Sequence, residues 1–490
     1  MADNSSLTFP ALAPQLTSKK VRDFLAFFGP GAIIASVTIG SGETVWASRS
    51  GAIFGYGMFW AFSLFTITKI VQVYSAARYM TLTGEHPMDR WAVLPGPRGL
   101  FPWFVGLVMV VSFPFYLSSL PIMLGTITSW VLFENPAAYP HVIALLFIVL
   151  LIALTLLQSY GLLEKAQTIL VSSMLVVMLV ATVAASPDWS AALMGAVVPS
   201  LPAYPDWVAR NPLFADRTLI VEMVAYMGVM GGGVQDYVGY VGMLREKGWG
   251  MIGRRKDVDT DAPVPLATDD ENVALGLAWL KAPLIDSVVS FISVLLFTAA
   301  FLILGATLLH PNEIVPSGMD LYNHQVVFLT GLHESSWVQR FLGGLYKAGV
   351  FFAIFGTVYG AFELYVRTAH ECVRSARPEW SELSLERTRV WTLTYTAIAG
   401  GALVCVAWWT ALNDPAGIGW NPISMMTIPL HVTGVFLAGP WCFAMVWIDR
   451  KWLPKPFRMG PFLVWMNVIC GLVFTLFGAR AVYDDILALM

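Results

Sequence analysis

Two glycine-rich stretches, GSGE at residues 40–43 and GGGVQD at residues 231–236, interrupt long apolar runs, one in each half of the chain. Lipid cannot hydrogen-bond to free backbone N–H and C=O groups, so a broken helix persists at membrane depth only where it lines protein or a wet cavity. Interrupted helices at corresponding positions of two halves point to the substrate site of a transporter. Because each stretch ends in a carboxylate, Glu43 or Asp236, the pair predicts a pathway for a cation.

The composition indicates an integral membrane protein. The chain has 490 residues, of which 57% are hydrophobic and only 12% charged, and a soluble protein of this length needs more charge at its surface. Its apolar runs repeatedly exceed the ~20 residues that cross a bilayer. The net charge of −3 argues against a nucleic-acid partner. We find no phosphate-binding loop, nucleophile constellation or HExxH motif, so we expect neither an enzyme nor a bound cofactor.

Hydropathy predicts eleven membrane spans. They lie roughly at residues 24–50, 53–80, 101–131, 141–160, 165–186, 218–244, 280–309, 341–372, 389–412, 421–448 and 460–485. With a cytoplasmic N-terminus, most of the 29 Lys and Arg residues fall on the inner side of the membrane. The positive-inside rule therefore predicts a multi-pass protein of a cell or inner membrane, with its C-terminus outside.

The two interruptions belong to spans 1 and 6. That spacing fits two five-span repeats of inverted topology plus one extra helix, because five is odd and the second repeat enters from the other side. We therefore expect a cytoplasmic N-terminal tail at 1–23 and one transport domain at 24–490. Within that domain the first repeat covers 24–186, the second covers 218–448, and the extra helix lies at 460–485. The polar segment 245–279 is expected to be a flexible cytoplasmic loop, and a regulatory role for it stays open.

The sequence around the first interruption resembles that of Nramp-type metal transporters. The similar segments are GPGAIIAS at 29–36, GAIFGYG at 51–57, Gln72, AAR at 76–78 and TG at 83–84, and Gly161 with LEK at 163–165 resembles the start of the family's fifth helix. The clearest match covers roughly 60 residues near the N-terminus. The resemblance implies an all-α, LeuT-type inverted 5+5 repeat with helices 1 and 6 discontinuous, and proton-linked uptake of divalent metal ions.

This chain departs from the family pattern at both interruptions. The family's first-helix Asp-Pro-Gly-Asn signature is replaced by GSGE, so Glu43 stands where asparagine is expected and the usual aspartate is missing. The sixth-helix Met-Pro-His signature is also absent, although Met230 lies just upstream of the glycines. The chain therefore resembles a divergent, Nramp-related branch.

The residues at the interruptions predict an oxygen-rich cation site. The candidate binding residues are Gly40, Ser41, Glu43, Gly231, Gln235 and Asp236. Carboxylate, amide and carbonyl oxygens suit Mg²⁺ or Mn²⁺, whereas a thioether such as that of Met230 adds softer character. Three structural alternatives stay open. The glycines could simply allow close helix packing, Glu43 could pair with Arg49 or Lys69, and Asp236 could cap the second half-helix.

Five further residues are candidates for a proton path: Glu222, Asp286, Glu363, Arg367 and His431. Glu222 could be a vestibule residue or a proton acceptor, and Asp286 could form a structural pair with Lys281 or act as a relay. Glu363 and Arg367 are spaced i,i+4 and are expected to pair along their helix. His431 could titrate near physiological pH or serve as a hydrogen-bonded packing residue.

These features predict a secondary transporter that moves a divalent cation such as Mg²⁺ or Mn²⁺ by alternating access, with protons as the coupling ion. The alternative is a proton- or cation-coupled symporter of a small organic solute such as an amine or amino acid, because fold does not fix function. We further expect Glu43 and Asp236 to approach a common cavity, with Gly40 and Gly231–Gly233 in non-helical conformation beside it.

Overall fold

A computed structural model describes residues 6–18, 20, 23, 27–157, 160–210, 218–254, 260–316, 321–380, 382–413 and 420–489. Helical segments coincide with each of the eleven predicted spans. They are Pro30–Thr38 and Ser48–Phe54 (span 1), Phe59–Thr83 (span 2), Leu100–Phe133 (span 3), Pro140–Leu156 (span 4), Tyr160–Ala184 (span 5), Leu219–Val229 and Val234–Met243 (span 6), Lys281–Leu304 (span 7), Ser336–Ala376 (span 8), Leu385–Asn413 (span 9), Pro422–Pro429 and Ala438–Trp452 (span 10) and Pro461–Leu489 (span 11).

Among the described residues, six helices are long and apolar enough to cross a membrane by length and composition. They contain spans 3, 7, 8, 9, 10 and 11. Span 4 is apolar but shorter, and span 6 is divided into two short helices. Large apolar side chains such as Leu146, Val149, Ile398 and Leu476 are exposed on the outside of the bundle, as expected of a surface that faces lipid.

Span 1 is interrupted as an α-helix but does not unwind. Between its two α-helices, Ile39–Ala47 forms a π-helix, so the prediction of non-helical backbone at Gly40 is wrong. The Gly40 N–H donates to Thr357 Oγ1 at 3.0 Å, and the Thr44 hydroxyl donates to the Gly40 carbonyl at 2.6 Å. A Cβ at Gly40 would lie 2.6 Å from the carbonyl oxygen of Ala353. Gly40 therefore lets span 1 pack closely against span 8. This is the helix-packing role that the sequence left open as the alternative for the glycines.

Span 6 contains a true break. Its first helix ends at Val229 and its second begins at Val234. Between them Gly231 and Gly232 have φ angles of 63° and 77°, a left-handed conformation that L-residues other than glycine rarely adopt. The predicted non-helical backbone at Gly231–Gly233 is thus confirmed.

Span 10 also departs from α-helical geometry where it packs against span 6. Its middle portion, Leu430–Phe436, is a π-helix. Gly228 and Gly434 form the crossing between the two spans, because a Cβ at Gly434 would lie 2.7 Å from the Gly228 Cα. Small residues allow such close approach of membrane helices.

The polar segment after span 6 is more ordered than a flexible loop. It contains the helix Asp270–Trp279, which Asp269 caps through the N–H of Asn272. The N-terminal tail packs along the same segment, because the Leu7 N–H donates to the Pro265 carbonyl at 2.7 Å and the Phe9 N–H donates to Asn272 Oδ1 at 2.6 Å. Residues 255–259 of the expected loop lie outside the described residues.

Candidate substrate site at the helix interruptions

A small cavity lies beside the break in span 6. Asp236 and Gln235 from the second half-helix line it, together with Gly232 of the break itself. Thr38 of span 1 contributes a hydroxyl-bearing side chain close to the start of the π-helix. The remaining lining residues are aromatic, apolar or glycine: Val37, Tyr116, Leu120, Gly228, Val229, Tyr365, Met426 and Leu430.

Asp236 caps the second half-helix and keeps one oxygen available. It is 2% exposed, and its Oδ2 accepts the Gly233 N–H at 2.8 Å, so the capping alternative is correct. Its Oδ1 is buried and has no hydrogen-bond partner among the described residues, and the same holds for Gln235 Oε1. Because capping uses only one carboxylate oxygen, the other one remains available to a cation in the cavity.

Glu43 lies in a different environment within the π-helix of span 1. Its side chain is fully buried, and neither carboxylate oxygen has a hydrogen-bond partner among the described residues. The Thr298 side chain of span 7 lies beside it, although the Thr298 hydroxyl donates to the Val294 carbonyl at 2.9 Å. Thr298 Oγ1 also lies 3.5 Å from Met230 Sδ, so Thr298 lies near both Glu43 and the residue that precedes the break.

The structure does not show the predicted cavity that Glu43 and Asp236 share. Glu43 is not among the residues that line the cavity beside Asp236. Gly42, its neighbour, instead packs against the end of the first half of span 6, where a Cβ would lie 3.3 Å from the Val229 carbonyl oxygen. Across the described part of the chain, no three His, Cys, Asp or Glu side chains cluster as metal ligands. The Ser41 side chain lies outside what the structure describes.

The predicted alternative partners of Glu43 are engaged elsewhere. Arg49 Nε donates to Glu222 Oε1 at 2.8 Å. Lys69 Nζ donates to the carbonyls of Gly232 and Gly434 at 2.9 and 2.8 Å. The salt-bridge alternative for Glu43 is therefore wrong, because both candidate cations already have other acceptors.

Glu222 and His431 are buried and hydrogen-bonded. Glu222 accepts from Arg49 and, at 3.1 Å, from the Tyr226 hydroxyl, so it forms a buried ion pair and does not line an open vestibule. His431 lies in the π-helix of span 10, where Nδ1 is 2.7 Å from Asp485 Oδ2 and Nε2 is 3.3 Å from the Val221 carbonyl. Both ring nitrogens of His431 therefore have partners, as its packing alternative requires, and its role in a proton path stays a prediction.

Asp286 stabilises the start of span 1. It accepts the N–H groups of Gly29 and Gly31 at 3.0 Å and the Tyr240 hydroxyl at 2.7 Å. A carboxylate is favourable at a helix N-terminus, where unpaired N–H groups carry partial positive charge. The alternative of a structural pair with Lys281 is therefore wrong, because the start of span 1 and Tyr240 provide the partners.

Glu363 and Arg367 do not pair with each other by a hydrogen bond. Arg389 of span 9 donates to Glu363 at 3.2 Å, and Arg367 donates to Glu246 at 2.5 Å. The i,i+4 spacing made a pair along the helix possible, but partners from neighbouring segments occupy both groups. The expected pair is therefore wrong.

Several residues at the site were not identified from sequence. Thr298, Thr38, Tyr116 and Tyr365 come from four different spans, and nothing in their local sequence distinguishes them from other residues of apolar helices. Lys69 was visible as a cation inside a span, but its acceptors are backbone carbonyls, which carry no sequence signal.

Comparison with known proteins agrees with this architecture. Residues 31–484 match the family model described as Nramp, natural resistance-associated macrophage protein-like. No curated protein sequence matches the chain. Among solved structures, the manganese transporter of Eremococcus coleocola in complex with an aromatic bis-isothiourea substituted compound is similar, with a TM-score of 0.68 and 14% identity. The match covers 98% of this chain and 90% of that one.

Two point-mutant structures of the same Eremococcus coleocola transporter are similar, each with a TM-score of 0.67 and 14% identity over the same shares of the two chains. These similarities confirm the LeuT-type fold predicted from the sequence. Members of the matching family are transporters and not enzymes. The chain therefore belongs to the Nramp family of membrane transport proteins.

Proposed function

We propose that this chain is a secondary transporter that moves a divalent metal cation by alternating access, with protons as the coupling ion. Membership of the Nramp family supports this proposal, as does the fold shared with a manganese transporter. The observation that carries it is the set of buried carboxylate oxygens at the two interruptions. Both oxygens of Glu43 and Oδ1 of Asp236 have no partner among the described residues.

Buried carboxylate oxygens without a hydrogen-bond partner require an explanation inside a membrane protein. An ionised side chain at the centre of a bilayer costs about 2.5–3.5 kcal/mol on insertion scales, so such groups mark ion pathways and proton relays. In this proposal a cation or a proton compensates the charge of Glu43, whereas the charge of Asp236 is offset in part by Lys69. In this proposal the two carboxylates alternate between a bound metal ion and protons.

Movement of the two helices of span 6 relative to each other would bring the ligands together. Gly231 and Gly232 adopt left-handed conformations that divide the span into two short helices, and a hinge of this kind absorbs changes in φ and ψ. Met230 and Glu43 flank Thr298 on one side of the hinge, whereas Gln235 and Asp236 line the cavity on the other side. We place the metal ion between these two groups of ligands in the conformation that occludes it.

A proton route is proposed along the predicted outer side. His431 contacts both Asp485 and the Val221 carbonyl, and Val221 is adjacent to Glu222 in sequence. In this route Asp485 and His431 form the titratable pair, and His431 would pass protons to Glu222, which lies one residue beyond its backbone contact Val221. Asp286, Glu363 and Arg367 are assigned structural roles, because each already has specific partners.

One observation favours a second candidate, a symporter of a small organic amine. The cavity beside Asp236 is lined by Tyr116, Tyr365, Leu120 and Met426 as well as by the carboxylate. Organic ligands bind in mostly apolar pockets that contain a few placed polar groups, and aromatic faces attract ammonium groups. A metal ion without its hydration shell gains little binding energy from aromatic and apolar side chains.

Uptake by the purified protein in liposomes decides between the two candidates. Radioactive Mn²⁺ is the probe, and Mg²⁺, Cd²⁺ and a panel of small amines and amino acids are the competitors. The proposal predicts saturable Mn²⁺ uptake, inhibited by other divalent ions and accompanied by proton entry that a trapped pH-sensitive dye records. Absence of Mn²⁺ uptake together with accumulation of a labelled amine would establish the second candidate instead.

A further inference from the structure

Lys69 of span 2 is a buried cation whose ligands are backbone carbonyls. Its side chain has no exposed surface, and Nζ donates to the Gly232 carbonyl at 2.9 Å and to the Gly434 carbonyl at 2.8 Å. Gly232 belongs to the break of span 6 and Gly434 to the π-helix of span 10. One ammonium group therefore joins three spans, at two places where α-helical hydrogen bonding is interrupted.

The two carbonyls converge because spans 6 and 10 cross closely at glycines, which have no side chains to hold the backbones apart. The glycine crossing between Gly228 and Gly434 brings span 10 close to span 6. The break releases the Gly232 carbonyl from helical hydrogen bonding, and Tyr237 OH also donates to this oxygen, at 3.1 Å. Carbonyls of interrupted helices are the groups that replace the hydration shell of a monovalent ion in transporters and channels.

The rest of the environment also suits a compact cation. Asp236 provides a negative charge that acts on Lys69. The rings of Tyr237 and Phe474 have their centroids 5.6 and 5.2 Å from Nζ, within the range of cation–π attraction. Carbonyl oxygen, carboxylate charge and aromatic faces thus surround one position, and a lysine ammonium is a compact point charge that can occupy it.

We propose that Lys69 is a tethered cation that fills a monovalent-cation site formed by the carbonyls of Gly232 and Gly434 and the charge of Asp236. Removal of the lysine side chain converts this site into one that takes K⁺, Na⁺ or a small alkylammonium ion. In the wild-type protein no free monovalent metal ion is needed there. This inference goes beyond the proposed function, because it concerns what holds the interrupted spans together and not the transported substrate.

A plain hydrogen-bonding role for Lys69 makes a different prediction. If the lysine only satisfies two carbonyls, its loss destabilises the protein equally in every salt. If it substitutes for an ion, a free ion that fits the site restores stability, because a ligand that binds only the folded state stabilises it by mass action.

The test is thermal unfolding of the full-length Lys69→Ala protein in detergent, at constant ionic strength, in Na⁺, K⁺, methylammonium or choline chloride. We expect the unfolding temperature to rise by roughly 1–2 °C in at least one of the three small cations relative to choline, at about ten times the dissociation constant of that ion. The wild-type protein is expected to show no such difference.

Two variants serve as controls. Lys69→Met fills the space of the lysine stem with an uncharged chain, so it is expected to lose stability without a response to ions. Lys347→Ala removes a lysine whose Nζ lies over the Trp130 ring at 4.0 Å, and it is also expected not to respond.

Three results would overturn the proposal. The first is a Lys69→Ala protein that is equally stable, or equally unable to fold, in all four salts. The second is an equal ion response in Lys69→Met, which would indicate a general salt effect. The third is a wild-type protein stabilised by Na⁺ or K⁺ over choline, because the site would then take a free ion while the lysine is present.

Discussion

Spans 1 and 6 carry the same kind of sequence, glycines followed by a carboxylate inside an apolar run, yet their backbones differ. Span 1 stays helical through a π-helix at Ile39–Ala47, whereas span 6 opens at Gly231 and Gly232 into two separate helices. In span 1 the glycine N–H and C=O groups are satisfied by Thr357 and Thr44. In span 6 the freed Gly232 carbonyl is satisfied by a lysine from another span.

The difference indicates what a glycine-rich interruption does in each place. Gly40 is needed for close approach to span 8, because a side chain there would collide with Thr357 and Ala353. Gly231 and Gly232 are needed for backbone conformation, because their φ angles are positive. Span 1 is therefore a closely packed helix with a π-helical segment, and span 6 contains the break that we propose acts as a hinge. Four experiments test this contrast.

The largest effect is expected from Gly231→Ala. An L-residue in the left-handed conformation costs roughly 1–2 kcal/mol, and the new Cβ would overlap the Phe291 ring. We expect loss of Mn²⁺ uptake and a large drop in thermal stability. Gly248→Ala is the matched control, because Gly248 has the same φ of 63° but nothing within 4 Å of an added Cβ. Equal effects of the two substitutions would show that backbone strain alone matters and that the Phe291 contact does not.

A smaller effect on stability, but a large one on uptake, is expected from Asp236→Asn. Asparagine is also a good helix cap, so the half-helix is retained while the charge is lost. Asp236→Ala removes the cap as well and is expected to cost about 1 kcal/mol more in the free energy of unfolding. Asp188→Asn is the control, because exposed Asp188 caps a helix through the Ala191 N–H in the same way.

Measurements of uptake and chemical denaturation on these three variants separate the two roles of Asp236. Uptake by Asp236→Asn is expected to fall by roughly tenfold or more, as for the loss of one charged contact. Wild-type uptake in Asp236→Asn, with a loss only in Asp236→Ala, would restrict Asp236 to capping.

The smallest effect is expected from Met230→Leu. The Met230 thioether and Glu43 both lie near Thr298, and thioethers favour softer metal ions. We expect hard ions such as Mn²⁺ and Mg²⁺ to compete better than Cd²⁺ or Zn²⁺ in the wild type. Met230→Leu is expected to weaken competition by Cd²⁺ a few-fold and to leave that by Mg²⁺ unchanged. An unchanged ratio in competition assays would place the sulfur outside the site.

The contrast between spans 1 and 6 also explains which features were predictable from sequence. The positions of the spans were predictable from hydropathy. The break at Gly231–Gly233 was predictable because three consecutive glycines destabilise a helix. The π-helix of span 1 was not predictable, because it depends on Thr357 of span 8 as an acceptor.

Pairing between distant residues was the least predictable feature. Arg49 with Glu222 and Arg367 with Glu246 are separated by more than a hundred positions in sequence. Local spacing favoured other partners, such as Glu363 for Arg367, but tertiary packing brought better-placed groups into contact. The separate surroundings of Glu43 and Asp236 have the same origin, because the packing of span 1 against Val229 determines where Glu43 lies.

The most direct test of the central claim, that both interruptions serve the transport of a divalent cation, is Mn²⁺ uptake by Glu43→Gln in liposomes. Glutamine keeps the size of the side chain and removes its charge, so the packing of span 1 around residue 43 is retained. Glu334→Gln, at an exposed position, is the control at matched protein content. We expect Glu43→Gln to fold normally and its uptake to fall by roughly tenfold or more, with unchanged uptake in the control. Wild-type uptake by Glu43→Gln would contradict it.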